Sequence, residues 1–154
     1  MLKKINFLLK LKIKKMGNKE CVFCKIGETD KERILYEDEK IIIFKDRSPV
    51  SVIHLQCIPK RHIKNKNQLT KRDIELLNYM YITSREFINI NYNKYIMENR
   101  PIFGFHKPPF YTISHLHMHC IIPPYTNYFM KVLNCCILKD FDDVIKEINS
   151  KNDF

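Results

Sequence analysis

The stretch of sequence that decides the fold is Ser114-His115-Leu116-His117-Met118-His119-Cys120-Ile121-Ile122. It holds three of the chain's six histidines, at every second position, with apolar or sulfur-containing side chains between them. Alternation with a period of two predicts a β-strand, because successive side chains of a strand point to opposite faces. One face can pack on a core, while the other carries three imidazoles. Burying three imidazoles without partners is costly, so the pattern indicates a functional site.

The composition is typical of one globular domain. The chain has 154 residues, of which 45% are hydrophobic and 29% are charged. This is enough for a single core and gives no sign of a second domain. No apolar run reaches the roughly 20 residues that span a bilayer.

The six cysteines indicate a reducing compartment. Cys57 and Cys120 lie within apolar runs that resemble strands, and no secretory signal is evident. Buried thiols therefore fit better than disulfides. We expect a cytoplasmic protein, with a nuclear location and N-terminal targeting left open.

The net charge of +10 is concentrated at the N-terminus. Residues 1–19 contain seven lysines and no acidic residue, which leaves 20 basic against 17 acidic side chains in the rest of the chain. The total charge therefore does not predict a specific nucleic-acid partner. We interpret residues 1–19 as a disordered basic extension and residues 20–150 as the folded domain. Three alternatives for residues 1–16 stay open: an amphipathic helix at a membrane surface, a targeting peptide, or a segment upstream of a functional start at Met16.

The remaining pattern predicts strands, one long helix and a short final helix. Thr70 is a suitable helix N-cap with Asp73 three residues on, and Ile74, Leu77, Tyr81 and Ile88 share one face of the helix that follows. Pro123-Pro124 is expected to end the histidine strand. The predicted strands cover 33–36, 40–45, 52–58 and 102–105, and the predicted helices cover 71–90 and 141–148.

Three histidines in a row allow several kinds of chemistry. A neutral imidazole can act as a nucleophile, a proton donor or a metal ligand. Attack on a phosphorus atom suits a central nucleophile flanked by N–H donors, which would meet charge developing on the phosphate oxygens. A three-histidine zinc site is the competing interpretation, and the spacing alone does not separate the two.

The run His115–Ile121 matches the histidine-triad pattern, in which three histidines alternate with apolar residues. The chain resembles the HINT-type nucleotide-binding proteins of the histidine triad (HIT) superfamily. Further segments stand in the family's order, and the resemblance covers roughly residues 20–150. They are Cys21–Ile26, Phe44-Lys45-Asp46 with Ser48-Pro49, His54, Ile58–Ile63 and Gly104-Phe105-His106-Lys107-Pro108-Pro109-Phe110.

The resemblance implies an α+β fold: a HIT-like antiparallel sheet with a long central helix and a C-terminal helix, commonly paired across a homodimer. It implies hydrolysis of adenosine 5′-phosphoramidates or similar AMP-linked purine nucleotides through a covalent nucleotidyl-histidine. His117 matches the nucleophile, His119 and His54 match positions near the phosphate, and Asp46 matches the residue that binds the ribose hydroxyls. No organic cofactor is implied.

The loop before the triad departs from the family. Thr112 and Ser114 are candidates to donate to a phosphate oxygen or to the leaving group. His106 could protonate the leaving group or only cap the strand. The usual Gly-Gly-Gln-Ser is Phe110-Tyr111-Thr112-Ile113 here, so the leaving-group preference is open.

Cys21-x-x-Cys24 offers two soft metal ligands, whereas zinc usually takes four. In some HIT relatives the site is completed by positions that correspond to His62 and His115. The resemblance therefore implies a structural zinc site of Cys21, Cys24, His62 and His115. A reduced cysteine pair packed at the N-terminus is the alternative.

Two further functions stay open. The same chemistry could serve dinucleoside polyphosphates, capped RNA or adenylated DNA ends. The chain could also be a non-catalytic, zinc-stabilised adaptor that binds nucleotides or a protein.

Overall fold

The computed structural model describes residues 21–110 and 113–151, with only the backbone for residues 133–135. The strands are β1 (Ile34–Glu37), β2 (Ile41–Lys45), β3 (Ser51–Pro59), β4 (Ile102–His106), β5 (Met118–Tyr125) and β6 (Leu138–Asp140). The helices are α1 (Ile26–Thr29), α2 (Ile74–Asn91), α3 (Asn93–Ile96), α4 (Tyr128–Ile137) and α5 (Phe141–Ser150), and 3₁₀ turns cover Lys31–Arg33, Lys66–Gln68 and Lys71–Asp73.

All six strands form one antiparallel sheet in the order β1-β2-β3-β5-β4-β6. The predicted α+β class, with a long central helix and a C-terminal helix, is confirmed.

The larger core lies between one face of the sheet and the helices α2 and α5. The apolar residues of the histidine stretch, Leu116, Met118 and Cys120, all belong to it, as the alternation predicted. Fully burying a side chain such as Met118 stabilises the fold by roughly 1.5–3 kcal/mol. Because side chains alternate along a strand and Met118 and Cys120 face this core, His119 lies on the opposite face of the sheet.

A smaller core on that other face holds the N-terminal segment in place. Phe23 and Ile26 pack there against Ile42, Phe44 and Ile58 of β2 and β3. The Phe23 and Phe44 rings meet edge to face with centroids 5.2 Å apart. This packing brings Cys21 and Cys24 next to the histidine stretch.

The long helix begins as predicted. The Asp73 carboxylate accepts hydrogen bonds from the Thr70 backbone N–H at 2.9 Å and from the Thr70 hydroxyl at 3.0 Å. A 3₁₀ turn covers Lys71–Asp73 before α2 continues to Asn91. Leu77 and Ile88 are buried on its inner face, as is Met80.

The histidine strand is shorter at its start than predicted. β5 begins at Met118, so His115 and His117 lie in the segment before it. This segment has other partners than a strand ladder: the Leu116 N–H donates to the carbonyl of Ile63 at 2.6 Å.

The prediction that the histidine strand ends at Pro123-Pro124 is wrong, because β5 continues to Tyr125. The pairing of β3 with β5 shifts register between Ser51 and Ile53, opposite these prolines. Proline lacks an N–H and is tolerated where a ladder is irregular, which explains how the strand continues.

Neither α4 nor β6 was predicted from the sequence. β6 pairs with β4, and Gly104 lies opposite Asp140. A Cβ at Gly104 would lie 2.7 Å from the carbonyl oxygen of Lys139, so only glycine allows this close approach. β6 thereby covers the side of β4 away from β5, and the homodimer, which stays a prediction, cannot use that side of β4 while β6 is in place.

The basic extension of residues 1–19 lies outside the described residues. Within 21–110 and 113–151, no helix is both long and apolar enough to cross a membrane.

Candidate active site

Three neighbouring strands place the candidate residues on one face of the sheet. His54 and Gln56 are two residues apart on β3, so their side chains point the same way. Gln56 is paired directly with His119 of β5, and Gly104 of β4 is paired with His119 on its other side. His106 follows Gly104 by two residues and lies on the same face. The β-sheet thus gathers histidines that are far apart in the sequence.

These side chains line a cavity of about 620 Å³. This volume is in the range of small-molecule sites. Its walls are both polar and apolar, with Phe23 and Ile113 beside the imidazoles. The predicted site residues that line the cavity are Asp46, His54, His106, His117 and His119.

The ring of His117 is fixed by its own backbone. His117 Nδ1 lies 2.7 Å from the carbonyl oxygen of His115. A carbonyl can only accept, so Nδ1 carries the proton and Nε2 keeps its lone pair. Phe23 packs edge-on against this ring with centroids 5.5 Å apart. The arrangement holds the ring in one orientation with a free lone pair on Nε2.

A hydrogen-bond chain fixes His54 and His119. The Val50 N–H donates to His54 Nδ1 at 3.2 Å, so the proton of a neutral His54 is on Nε2. His54 Nε2 lies 2.8 Å from His119 Nδ1, which therefore accepts. The proton of His119 is then on Nε2, a buried atom with no partner among the described residues. His119 offers an unused N–H donor to the cavity.

Asp46 is anchored beside this pair. Its Oδ1 accepts from the Ser48 N–H at 2.7 Å and its Oδ2 from Gln56 Nε2 at 2.5 Å. Oδ2 also lies 3.4 Å from His54 Nε2. Sequence reasoning missed Gln56, although its position two residues after His54 on a predicted strand was a usable signal.

His106 completes the cluster of imidazoles. Its ring centroid lies 4.3 Å from that of His119 and 5.5 Å from that of His117. Its Nδ1 is buried and has no partner in the described part of the chain. His106 therefore lines the cavity together with His117 and His119, and its role toward a leaving group stays a prediction.

Burial keeps these imidazoles neutral. It lowers the pKa of His106 to about 4, and it lowers the pKa of His54 and of His117 below the ordinary value of 6.5. The pKa of His119 is lowered furthest by burial, helped by its histidine neighbours. At neutral pH, His117 therefore keeps an unprotonated ring nitrogen.

The first triad histidine belongs to a different cluster. His115 Nδ1 lies 3.3 Å from Cys21 Sγ and 3.5 Å from Cys24 Sγ, and His62 Nδ1 lies 3.3 Å from Cys24 Sγ. One ligand atom from each of these four residues lies within 4.8 Å of the other three. Tetrahedral zinc with ordinary bond lengths sets neighbouring sulfur and nitrogen ligands roughly 3.5 Å apart.

The chemistry of this cluster also fits zinc. His115 Nε2 lies 2.8 Å from the carbonyl oxygen of Pro59 and must donate to it, which leaves Nδ1 free to bind a metal. Such a backbone acceptor on the second nitrogen is usual for metal-binding histidines. The residues present therefore fit the structural zinc site that the resemblance implies.

The three-histidine zinc interpretation is not favoured by this geometry. His115 faces the cysteines, so the triad histidines do not converge on one point among the described residues. His117 and His119 are grouped instead with His106. His117 Nδ1 is committed to a carbonyl.

The loop candidates are placed differently. Thr112 lies outside the described residues. Ser114 is exposed, and its carbonyl oxygen lies 4.0 Å from Cys21 Sγ, beside the cysteine cluster. A role for either residue in substrate binding stays a prediction.

Known proteins resemble this chain in sequence and in fold. The family model described as "Scavenger mRNA decapping enzyme C-term binding" matches residues 20–134. The bifunctional adenosine 5′-phosphosulfate phosphorylase/adenylylsulfatase HINT4 of Arabidopsis thaliana is 37% identical over 111 residues, which are 70% of this chain and 73% of that protein. The adenosine 5′-monophosphoramidase HINT3 of Mus musculus is 36% identical over 67% of this chain and 63% of that protein.

A solved structure shows the same fold. A HIT family hydrolase from Clostridium thermocellum superposes with a TM-score of 0.57 and 27% identity, over 71% of this chain and 96% of that one. With the family match, the sequence relatives and the triad geometry, the chain belongs to the histidine triad superfamily as a HINT-type member.

Proposed function

We propose that this protein hydrolyses AMP-linked substrates, adenosine 5′-phosphoramidates in the first place, through a covalent adenylyl-histidine on His117. The carrying observation is the 2.7 Å contact between His117 Nδ1 and the His115 carbonyl oxygen. It leaves the Nε2 lone pair facing away from the backbone, in a ring that burial keeps neutral. The similar proteins named as a phosphoramidase and an adenylylsulfatase support this class of substrate.

The reaction has two displacement steps. His117 Nε2 attacks the α-phosphorus, a phosphorus–nitrogen bond to the imidazole forms, and the leaving amine departs with the electron pair of the broken bond and a proton. Water then attacks the same phosphorus and gives up a proton to a free nitrogen of His106, and AMP is released as the electron pair of the phosphorus–nitrogen bond returns to Nε2. The ring is cationic in between, and its Nδ1–H bond to the carbonyl strengthens because the donor is charged.

The neighbouring imidazoles would stabilise the phosphate and serve the leaving group. The unpartnered Nε2–H of His119 would donate to a non-bridging oxygen as charge develops. His54 acts through His119, since its Nε2–H holds His119 Nδ1 as the acceptor. His106, in ring contact with both triad residues, is the candidate that would relay a proton to the leaving amine, its N–H donating as its other ring nitrogen takes up a proton from solvent.

The remaining contacts would bind the nucleoside. Asp46 is held by Gln56 and Ser48 in a position to accept from the ribose hydroxyls. Phe23 and Ile113 supply apolar surface for the nucleoside.

We further propose that Cys21, Cys24, His62 and His115 bind one structural zinc ion. Zinc would cross-link the N-terminal segment to the residues before β5, and so hold the backbone whose carbonyl orients His117. Zinc takes no part in the displacement steps.

Turnover across a substrate series tests the proposal. The wild-type protein should release AMP from adenosine 5′-phosphoramidate faster than from dinucleoside polyphosphates or adenylated DNA ends. His117→Ala should lose this activity by at least 10³-fold. Val52→Ala, at an exposed position on β3, is the matched control. Equal turnover by His117→Ala and the wild type would reject the proposal, and nucleotide binding without any turnover would favour the adaptor.

A further inference from the structure

The cavity has a second polar region that the proposed displacement steps do not use. Asp30, Arg33 and Arg47 line it along with the imidazoles, and we refer to them as the Asp30 cluster. Arg47 directly follows Asp46, and Arg33 Nη1 donates to the carbonyl of Lys45 at 2.9 Å. The cluster therefore lies beside Asp46 in the same cavity as the imidazoles.

A nucleotide has its ribose between its phosphate and its base. If His117 meets the phosphate and Asp46 meets the ribose, as the proposed function requires, the base would lie against the Asp30 cluster, which adjoins Asp46 in the cavity. The apolar side chain of Val22 lines this same cavity and could contact a purine face. The polar groups of the cluster would then meet the edge of the base.

One oxygen of the Asp30 carboxylate is available to a ligand. Both arginines donate to its Oδ2, Arg33 Nη2 at 2.6 Å and Arg47 Nη2 at close range. Its Oδ1 has no side-chain or backbone donor in the described part of the chain. Hydrogen bonds from Arg33 and Arg47 lower the pKa of Asp30 below its ordinary value, so Oδ1 is a charged acceptor without a donor among the described residues.

One N–H group of the Arg33 guanidinium is available to a ligand. Its Nη1 and Nη2 are both used, whereas its Nε is buried without a partner among the described residues. The guanidinium carbon lies 5.4 Å from the centre of the Phe44 ring, which limits how far this side chain can move. A buried donor without a partner is uncommon in native proteins and points to a ligand atom.

We propose that the Asp30 cluster reads the edge of adenine. Asp30 Oδ1 accepts from the 6-amino group, and Arg33 Nε–H donates to N7, the ring nitrogen beside that group. Adenine carries a donor and an acceptor side by side at this edge, whereas guanine presents two acceptors, N7 and O6. Guanine would place O6 against the Asp30 carboxylate. Arg47, whose side chain is 75% exposed, holds Asp30 in place.

The test compares 5′-phosphoramidates of adenosine, guanosine and purine riboside, which lacks the 6-amino group. The wild type should show kcat/KM for adenosine about tenfold or more above that for the other two. In Asp30→Ala the adenosine value should fall to that of purine riboside, while the purine riboside value stays unchanged. Glu28→Ala, an exposed acid outside the cavity, removes the same charge and should keep the wild-type preference.

Two results would overturn this inference. One is a wild type that cleaves all three substrates equally well. The other is an Asp30→Ala variant that loses the same factor on adenosine and purine riboside, which is the behaviour of a purely structural ion pair. If Asp30→Ala does not fold, wild-type discrimination still decides. If no substrate is cleaved, the proposed function fails, and the ratio of Kd for AMP to Kd for purine riboside monophosphate decides on the base contact.

Discussion

His54 Nε2 lies 2.8 Å from His119 Nδ1, and this contact determines which nitrogen of His119 carries the proton. In His54→Ala, His119 would be free to place its proton on Nδ1 and would no longer offer an Nε2–H to the phosphate. We expect kcat to fall by about 10–100-fold with little change in KM, less than the roughly 10²–10³-fold expected for removing such a donor itself. Steady-state kinetics and ¹⁵N chemical shifts of His119 measure this.

The matched control for this variant is Val52→Ala, two residues earlier on β3 and exposed. If His54→Ala raised KM and left kcat unchanged, His54 would contribute to binding and not to the orientation of His119.

The buried histidines make stability depend on pH. Burial holds the pKa of His106 at about 4 in the folded protein, and it also lowers that of His54, His117 and His119. The unfolded chain therefore binds more protons below about pH 6.5. The stabilisation is complete above that pH and is lost as the pH falls toward the folded values.

Denaturant unfolding between roughly pH 7.5 and pH 4.5 measures this dependence. The free energy of unfolding should decrease steadily below about pH 6.5, and His106→Asn should show a shallower decrease. Titration of the Asp38 carboxyl does not interfere with this measurement of the free energy of unfolding. Burial alone would raise its pKa, but hydrogen bonds from Ile41, Tyr79 and others bring it to about 2. A free energy of unfolding that does not change across this range would contradict the buried, neutral state of the cluster.

The cysteine cluster predicts one zinc ion per chain. Cys21→Ser and Cys24→Ser should each lose most of the metal, because zinc prefers thiolate over hydroxyl ligands. Metal content measured by elemental mass spectrometry checks this, and a chelator should lower the Tm of the wild type. Cys136→Ser is the matched control, since Cys136 is an exposed cysteine outside the cluster. Equal zinc content in all four proteins would exclude the site.

The close approach of β4 and β6 depends on the absence of a Cβ at Gly104. In Gly104→Ala the new Cβ would lie 2.7 Å from the Lys139 carbonyl oxygen, so β6 must shift. We expect a loss of about 1–3 kcal/mol in the free energy of unfolding, with faster amide hydrogen exchange in β6. Gly27→Ala is the control, because nothing beyond its chain neighbours and its own helix backbone lies within 4 Å of its Cβ position. Wild-type stability in Gly104→Ala would show that the edge is less tightly packed than described.

The sequence predicted what depends on local pattern. Alternation placed Leu116, Met118 and Cys120 in the core, and the Thr70–Asp73 pair marked the start of the long helix. The course of β5 was harder to predict, because Pro123 and Pro124 are tolerated only through an irregular pairing with β3 that local pattern does not show. The three-residue strand β6 is too short to give a periodic signal.

The site was predictable where a motif carried it and not where tertiary packing did. His117 and His119 follow from the triad, and Asp46 and His54 from the resemblance. The Asp30 cluster joins residues from separate segments through hydrogen bonds that only the folded chain reveals. Gln56 belongs to no motif, but strand periodicity places it on the same face as His54, so it could have been predicted in part.

The most direct test of the central claim is detection of AMP bound covalently to His117. The protein is mixed with adenosine 5′-phosphoramidate and quenched within the first turnover in alkaline denaturant, because phosphorus–nitrogen bonds to imidazole are labile in acid. Peptide mass spectrometry should find the mass of an adenylyl group on His117 in the wild type and no adduct in His117→Ala. An adduct on another residue, or AMP release in the first turnover with no adduct at any time point, would contradict the covalent mechanism.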